Sequence, residues 1–325
     1  MLMRAQPLPF EAFLFRGRAR PFTSPNLIRP LLDGGAHQDW TITRDGRPIP
    51  FKILRSSLTP KKPLILLHGM GLTIATFHGI APYLLNTHDL ILPDYSSMSV
   101  PTAFPTEHFS PRLMLKAVFA IADALNLPTF DLGGNSLGGG MALLAAIEQP
   151  RRIGRLVLFA PACYPQELPR MYKLARIPLF GELMMTLSPA ARFVGGVEHI
   201  GFVDKSRFPL HLKEHYLATL ERRAARFRLM QMIRHLPDGP RDYNNAEHVR
   251  HLRKIDQPAL IVWGNKDPLL VPDSGPRLAR DLPRATYATF DDLAHLPHDE
   301  APERIGPLTA DFLNNVPKAL TAARV

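Results

Sequence analysis

The sequence predicts an α/β protein with a mostly parallel central sheet that is flanked by helices. Short aliphatic runs, each closed by a turn signal, alternate along the chain with stretches of helical periodicity. The aliphatic runs are almost continuously hydrophobic, which is typical of parallel strands that are buried on both faces. Alternation and double-sided burial together indicate a sheet covered by helices on both sides.

The elements follow one another in a regular order. Residues 40–43 and 50–54, joined through Asp45-Gly46, predict an antiparallel hairpin that leads into the sheet. Later strands are expected at residues 64–67, 90–92, 130–132, 156–159, 259–263 and 287–290, and helices at residues 113–125 and 137–148.

The alternation stops between about residues 162 and 244, where three helical stretches follow one another without a convincing strand. One face of a single helix is predicted by the spacing of Leu212, Tyr216, Leu220, Ala224, Phe227, Met230 and Ile233. In the first half of this helical insertion, Met171, Met184 and Met185 are expected to pack between helices rather than to line a substrate site. The chain then divides into a basic N-terminal extension (1–36), a first core part (37–161), the insertion (162–244) and a second core part (245–325).

Composition excludes several classes of protein. The chain has 325 residues, of which 46% are hydrophobic and 21% charged, so collagen-like and disordered classes do not fit. Its single cysteine, Cys163, excludes a disulfide scaffold and a thiolate-rich zinc site. No apolar run reaches the roughly 18 to 20 residues of a spanning helix, and the proline-rich N-terminus does not fit a secretory signal. A cytoplasmic protein is therefore expected, with an organellar transit peptide as the less favoured alternative.

The formal net charge is +10, which could indicate a nucleic acid, a membrane surface or an anionic substrate as partner. The excess of basic residues lies in residues 1–60 and 161–250, whereas the rest of the chain is close to neutral. Arginines in the run 221–228 are expected to form a solvated helix face, and a lipid-headgroup surface is the less favoured alternative. No recognition motif accompanies the charge, so we do not expect a nucleic-acid partner.

A candidate nucleophile follows the strand at residues 130–132. Gly134, Ser136 and Gly138 match the pattern G-x-S-x-G, with a predicted helix directly behind it. A serine at a strand-to-helix reversal sits on a strained turn, and glycines two residues to either side let helix and strand approach closely. The alternative is an ordinary glycine-rich loop or a phosphate cradle, although no G-x-x-x-x-G-K-[ST] pattern is present.

With this motif the sequence resembles the α/β-hydrolase fold superfamily, in its serine esterase and lipase-like branch with a helical cap. Three further motifs carry the resemblance, which spans residues 37–316: His68-Gly69-Met70-Gly71 after one strand, Gly264-Asn265-Lys266-Asp267-Pro268 after another, and Ala294-His295-Leu296-Pro297-His298-Asp299-Glu300 after the last. The resemblance implies a catalytic triad of Ser136, Asp267 and His295, in the chain order expected for this fold.

The same resemblance implies an oxyanion hole formed by the backbone N–H groups of Met70 and Leu137. Gly69, Gly134 and Gly138 would then be the glycines of the two turns. No metal and no cofactor are expected.

Four residues compete for the acid and base roles. His298 is the nearest rival of His295, but it is expected at a helix start beside Pro297. Asp291 and Asp292 precede the histidine segment and do not follow a central strand. Asp94 stands where the family carries D-x-P-G-x-G-x-S, but residues 94–101 lack those glycines. This difference could change the pocket entrance, so the substrates of close relatives do not predict the substrate of this chain.

Serine at position 136, where relatives that cleave halides and epoxides carry aspartate, argues against those two reactions. The favoured function is hydrolysis of carboxylic esters through an acyl-enzyme, with a small hydrophobic acyl compound as substrate. The alternatives are a carbon–carbon bond hydrolase of ring-cleavage products, an acyltransferase or thioesterase, and a non-catalytic ligand receptor. The sequence leaves the oligomeric state open.

Overall fold

The central sheet follows the strand order β1-β2-β4-β3-β5-β6-β7-β8-β9. A computed structural model describes residues 36–44, 47–95, 111–164, 166–236, 247–271, 273–315 and 323–324. β1 pairs antiparallel with β2, β2 pairs antiparallel with β4, and the other neighbouring pairs are parallel. The mostly parallel sheet predicted from the aliphatic runs is therefore confirmed. The strands are β1 (Ala36–Arg44), β2 (Arg47–Arg55), β3 (Lys62–Leu67), β4 (His88–Pro93), β5 (Phe130–Asn135), β6 (Ile153–Phe159), β7 (Ala259–Gly264), β8 (Ala285–Phe290) and β9 (Ala323–Arg324).

Helices cover both faces of this sheet. Alternate residues of β6 show the division, because Leu156 and Leu158 pack into the core under α2, α3 and α10, whereas Val157 and Phe159 pack under α1 and α12. Among the described residues, no helix is both long and apolar enough to cross a membrane. The helices are α1 (Ala81–Leu84), α2 (Pro111–Ala124), α3 (Leu137–Glu148), α4 (Arg170–Ala175), α5 (Phe180–Leu187), α6 (Ala190–Gly201), α7 (Leu210–Leu220), α8 (Arg223–His235), α9 (Glu247–His251), α10 (Ser274–Asp281), α11 (Pro297–Glu300) and α12 (Pro302–Asn314).

A buried carboxylate, Asp131, joins the central strands at their amino ends. Lys62 Nζ of β3 lies 2.8 Å from Asp131 Oδ1, and His88 Nε2 of β4 lies 3.3 Å from Oδ2. The backbone N–H of Arg155 in β6 donates to Oδ1 over 2.7 Å. Burial opposes ionisation of Asp131, but these three hydrogen bonds outweigh it and hold the pKa of the carboxyl below its ordinary value. One ionised side chain thus fixes β5 against three other strands.

The described residues of the helical insertion between β6 and β7 form the five helices α4 to α8, whereas three helical stretches were expected. The single helix expected from Leu212 to Ile233 is divided into α7 and α8, and Arg222 between them has an extended ψ of 119°. Arg226 Nε donates to the Leu220 carbonyl over 2.6 Å, so a side chain satisfies the end of α7. As a result Ala224 and Phe227, which were expected in the packed face, are exposed.

Three predictions fall on residues outside the described ranges. They are the Asp45-Gly46 turn of the first hairpin, nearly all of the N-terminal extension, and residues 96–101 of the segment that lacks the family's glycines.

We expect Asp131→Asn to lower the free energy of unfolding at pH 7 by about 2 to 3 kcal/mol, because it removes hydrogen bonds to a buried charge. A carboxyl whose pKa is lowered by folding stabilises the protein above its unfolded pKa, about 3.9, and loses that contribution as the pH falls further. Urea denaturation should therefore show the difference at pH 7 and a shrinking difference below pH ~4. The matched control is Asp123→Asn, since Asp123 is 44% exposed and pairs with Arg152 at 2.7 Å; it should cost less than about 1 kcal/mol.

Candidate active site

Ser136 occupies a strained turn between β5 and α3. Its φ of 54° and ψ of −118° are rare for a residue with a side chain. The turn is held from outside, because the N–H of Ser136 donates to the Phe159 carbonyl over 3.0 Å and the N–H of Ala162 donates to the Ser136 carbonyl over 2.9 Å. The sequence therefore places a hydroxyl at the carboxyl edge of the sheet, where parallel sheets carry their ligand sites.

Close approach of α3 to β3 explains the glycines on either side of Ser136. A Cβ on Gly138 would lie 2.0 Å from the Leu67 carbonyl oxygen, and one on Gly134 would lie 2.5 Å from the same atom. Gly69, after β3, has the same requirement, because its Cβ would lie 2.7 Å from Asn135 Oδ1. All three glycines predicted for the two turns stand where a side chain would collide with backbone or with a buried amide.

Asp267 and His295 form a buried pair at the ends of β7 and β8. His295 Nδ1 lies 2.7 Å from Asp267 Oδ2, and since a carboxylate only accepts, the Nδ1 proton is on the imidazole. The other oxygen, Oδ1, accepts from the N–H groups of Leu269 at 2.8 Å and Leu270 at 3.0 Å. Both carboxylate oxygens are thus occupied, which fixes the imidazole and leaves Nε2 as the acceptor nitrogen.

Ser136 and His295 line one cavity of about 330 Å³. Its polar side chains are few, and its other walls are apolar and come largely from the helical insertion. The polar side chains on its wall, among the described residues, are Asn135, Ser136, Tyr172, Ser188, Arg192 and His295. Met171, Met184 and Met185 also line it. Met184 and Met185 at the same time pack between helices, against Met230 and Ile233, as the sequence predicted.

Asn135 connects the serine turn to the histidine segment. Its buried Nδ2 donates to the Phe159 carbonyl over 3.1 Å and to the His295 carbonyl over 3.2 Å. No role for Asn135 is predicted from the sequence, although its place directly before Ser136 in a buried strand indicates that its amide needs partners.

Glu300 connects the histidine segment to the helical insertion. Its buried carboxylate accepts from the N–H groups of Ala294 at 2.7 Å and Val203 at 2.7 Å. Beside it, the N–H of His295 donates to the Ile200 carbonyl over 3.3 Å. Core and insertion therefore hold the same segment, and sequence reasoning missed this role of Glu300.

The rival acids and bases lie elsewhere. Burial, together with the nearby His295, lowers the pKa of His298 to about 3, and its ring stacks on Phe159 with centroids 4.7 Å apart. A base with so low a pKa takes up a proton poorly at neutral pH. Asp291 Oδ1 accepts from Asn265 Nδ2, Asp292 pairs with Arg304, and Asp94 Oδ1 is 4.0 Å from His68 Nε2.

Two backbone N–H groups remain available beside Ser136. Within the residues that the structure describes, the N–H groups of Met70 and Leu137 donate to no carbonyl and no side chain. Leu137 is the first residue of α3, where an N–H has no partner inside the helix. Met70 lines the cavity. Both groups are therefore suitable donors for an anionic oxygen.

Comparison with known proteins places these residues in context. A family model described as the alpha/beta hydrolase fold matches residues 62–302. The chain is 24% identical over 270 residues to a 2-hydroxy-6-oxo-6-phenylhexa-2,4-dienoate hydrolase of Burkholderia cepacia, which covers 82% of this chain and 92% of that protein. It is 27% identical over 261 residues to a 2-hydroxy-6-oxononadienedioate/2-hydroxy-6-oxononatrienedioate hydrolase of Paraburkholderia phymatum, with coverages of 78% and 87%.

Among solved structures, a meta-cleavage product hydrolase from Pseudomonas fluorescens IP01 has a TM-score of 0.69 to this chain at 19% identity. The match covers 85% of this chain and 97% of that one. At this identity the likeness is one of fold.

We expect Gly138→Ala to prevent the native packing of α3, since a Cβ at 2.0 Å from the Leu67 oxygen leaves no room for adjustment. The thermal midpoint should fall by more than about 4 °C, as for a loss of roughly 3 kcal/mol or more in a chain of this length. Gly195→Ala in α6 is the matched control, because nothing lies within 4 Å of its Cβ position. It should leave the midpoint unchanged or raise it, because alanine favours the helix by about 0.8 to 1 kcal/mol.

Proposed function

Since the chain belongs to the alpha/beta hydrolase fold family, we propose that it is a serine hydrolase that cleaves carboxylic esters with an apolar acyl group. The observation that carries this proposal is the arrangement at the cavity wall: Ser136 stands on the strained turn, and His295 faces the same cavity with its Nδ1 held by Asp267 at 2.7 Å. A hydroxyl, an oriented imidazole and an ionised acid are the groups that acyl transfer requires.

In this mechanism His295 Nε2 takes the proton of the Ser136 hydroxyl as Oγ bonds to the acyl carbon. The carbonyl oxygen becomes an anion, and the N–H groups of Met70 and Leu137 stabilise it. Collapse of this intermediate breaks the bond to the alkoxy oxygen, which receives the proton from His295. A water molecule then repeats the sequence on the acyl-enzyme, releasing the carboxylic acid and restoring the serine.

The walls of the cavity support an apolar acyl group. A volume of about 330 Å³ is at the small end of ligand sites, and methionine and leucine side chains from the insertion form much of its surface. Flexible methionines adapt to different apolar shapes. A medium-length or bulky hydrocarbon acyl chain therefore fits better than a polar one.

A second candidate is hydrolysis of a carbon–carbon bond in a ring-cleavage product. The names of the two relatives describe substrates with one carboxylate and a phenyl group, or with two carboxylates. Arg192 lines the cavity and is its cationic side chain among the described residues. One arginine and apolar walls match the phenyl-bearing monoacid better than a diacid, whose second carboxylate would face apolar surface.

Ser136→Ala should lower kcat for p-nitrophenyl butyrate by about 10⁴-fold or more and abolish labelling by a fluorophosphonate probe, because it removes the attacking oxygen. Ser188→Ala is the matched control, since Ser188 lines the same cavity. It should keep labelling and most of the activity. Full esterase activity in Ser136→Ala would disprove the assignment, and a wild type that neither labels nor turns over would point to a ligand receptor.

A panel that compares p-nitrophenyl esters of increasing chain length with 2-hydroxy-6-oxo-6-phenylhexa-2,4-dienoate separates the two candidates. For an esterase, kcat/KM should be highest on a medium-length ester, and Arg192→Gln should change it by less than threefold. For a carbon–carbon hydrolase, the dienoate should be preferred and Arg192→Gln should lower its kcat/KM by about 10- to 100-fold, as for loss of a charged hydrogen bond. Transfer of the acyl group to added alcohol or thiol in preference to water would instead identify an acyltransferase.

A further inference from the structure

The helical insertion exposes a cluster of apolar side chains on α4, on α5 and in the residues between them. Seven of the twelve large apolar side chains that are exposed among the described residues fall between residues 171 and 187. We call Met171, Ile177, Leu179, Phe180, Leu183 and Leu187 the α4–α5 face. Leu179 is 84% exposed and Leu187 is 71% exposed, which is far beyond the partial exposure of a packed helix. Clustered exposure of this kind is typical of an interaction surface rather than of scattered surface residues.

The pattern along α5 is the reverse of an ordinary surface helix. Phe180, Leu183 and Leu187 are spaced by three and four residues and therefore share one side, which faces solvent. Gly181 and Met185 share the opposite side, which is buried. Both sides of α5 are therefore largely apolar. Thr186 is also exposed, next to Leu187, but the outward side of α5 has few of the polar residues that normally meet water.

Positive charge borders the α4–α5 face. Arg170 at the start of α4 and both Arg222 and Arg223 at the start of α8 are exposed, and they outnumber the exposed acid Glu221 beside Arg222. The exposed Glu167 before α4 is paired with Lys173 at 3.2 Å. The acid of α5, Glu182, is bound by Arg234 through two hydrogen bonds of 2.7 and 2.9 Å. The surface thus combines exposed hydrocarbon with cationic side chains at its edge, the combination that binds an anionic lipid surface.

We propose that the α4–α5 face binds the surface of a membrane or lipid aggregate that carries anionic headgroups. The charge distinguishes this partner from a second copy of the chain. A two-fold contact through this face would bring the arginines of both copies to the rim of one interface, where their like charges oppose association. An anionic lipid surface offers both hydrocarbon for the face and negative charge for its border.

The position of α4 and α5 gives this contact a consequence for the cavity. Met171 is 48% exposed and also lines the cavity, so the cavity wall reaches the α4–α5 face. Met184 and Met185 of α5 line the same cavity from their inner side. A lipid surface bound to this face would lie directly against the wall that encloses Ser136.

Flotation of the full chain with vesicles tests the proposal without any assay of activity. We expect binding to vesicles of phosphatidylcholine with 30% phosphatidylglycerol, at least tenfold weaker binding to phosphatidylcholine alone, and a decline as salt rises from 50 to 500 mM. The triple variant Leu179→Ser/Leu183→Ser/Leu187→Ser should lose at least tenfold in affinity. Ser136→Ala should bind as the wild type does, so the result does not depend on the proposed reaction.

Leu58→Ser and Leu210→Ser are the matched controls. Leu58 is 81% exposed and precedes β3, so it lies at the amino ends of the strands, away from the cavity at their carboxyl ends. Leu210 is 69% exposed and lies at the start of α7. Both should bind like the wild type, and circular dichroism should show that the triple variant is folded. Equal binding of the triple variant and the wild type would overturn the proposal. Failure of the wild type to bind anionic vesicles would also overturn it. If that wild type formed dimers and the triple variant did not, the face would bind a second copy of the chain instead.

Discussion

The contact between Gly138 and the carbonyl of Leu67 sets the geometry on which the candidate site depends. With no side chain at position 138, the start of α3 lies against the end of β3. The chain must then reverse within the turn at Ser136. This reversal forces Ser136 into a strained backbone conformation with a φ of 54°. Because the same contact brings Gly69 next to Asn135 and Ser136, the two turns that follow β3 and β5 form a single corner of the molecule. The Ser136 hydroxyl and the N–H groups of Met70 and Leu137 lie together at this corner because β3, β5 and α3 approach so closely.

The imidazole of His295 is placed by groups that come from three parts of the chain. Asp267 holds its ring, Asn135 holds its carbonyl, and the Ile200 carbonyl of the insertion accepts from its N–H. Glu300 adds a carboxylate that joins the histidine segment to Val203. The insertion is therefore bound to the segment that carries His295 and does not merely lie above the cavity. A change in the packing of α6 would reach His295 through these hydrogen bonds.

Sequence reasoning identified what local chemistry dictates and missed what distant contacts decide. Short sequence patterns with a physical cause predict the buried strands, the strained serine turn, and the segments that carry Asp267 and His295. The structure brings Ser136, Asp267 and His295 to the carboxyl ends of the strands. The break between α7 and α8 has no such pattern, because it depends on Arg226 bonding to carbonyls at residues 185, 188 and 220. The link from Asn135 to His295 spans 160 residues and cannot be read from either segment alone.

The apolar segment that contains Met171, Met184 and Met185 forms two different surfaces in the structure. A segment that is apolar on all sides is normally buried, which is why residues 171–187 favoured helix packing. In the structure, one side of α4 and α5 encloses the cavity and the other side meets solvent. Exposed hydrocarbon on this scale destabilises the isolated chain in water and offers a surface for association. The same two helices therefore supply both an apolar wall of the cavity that holds Ser136 and the apolar face through which, in our proposal, a lipid surface would approach it.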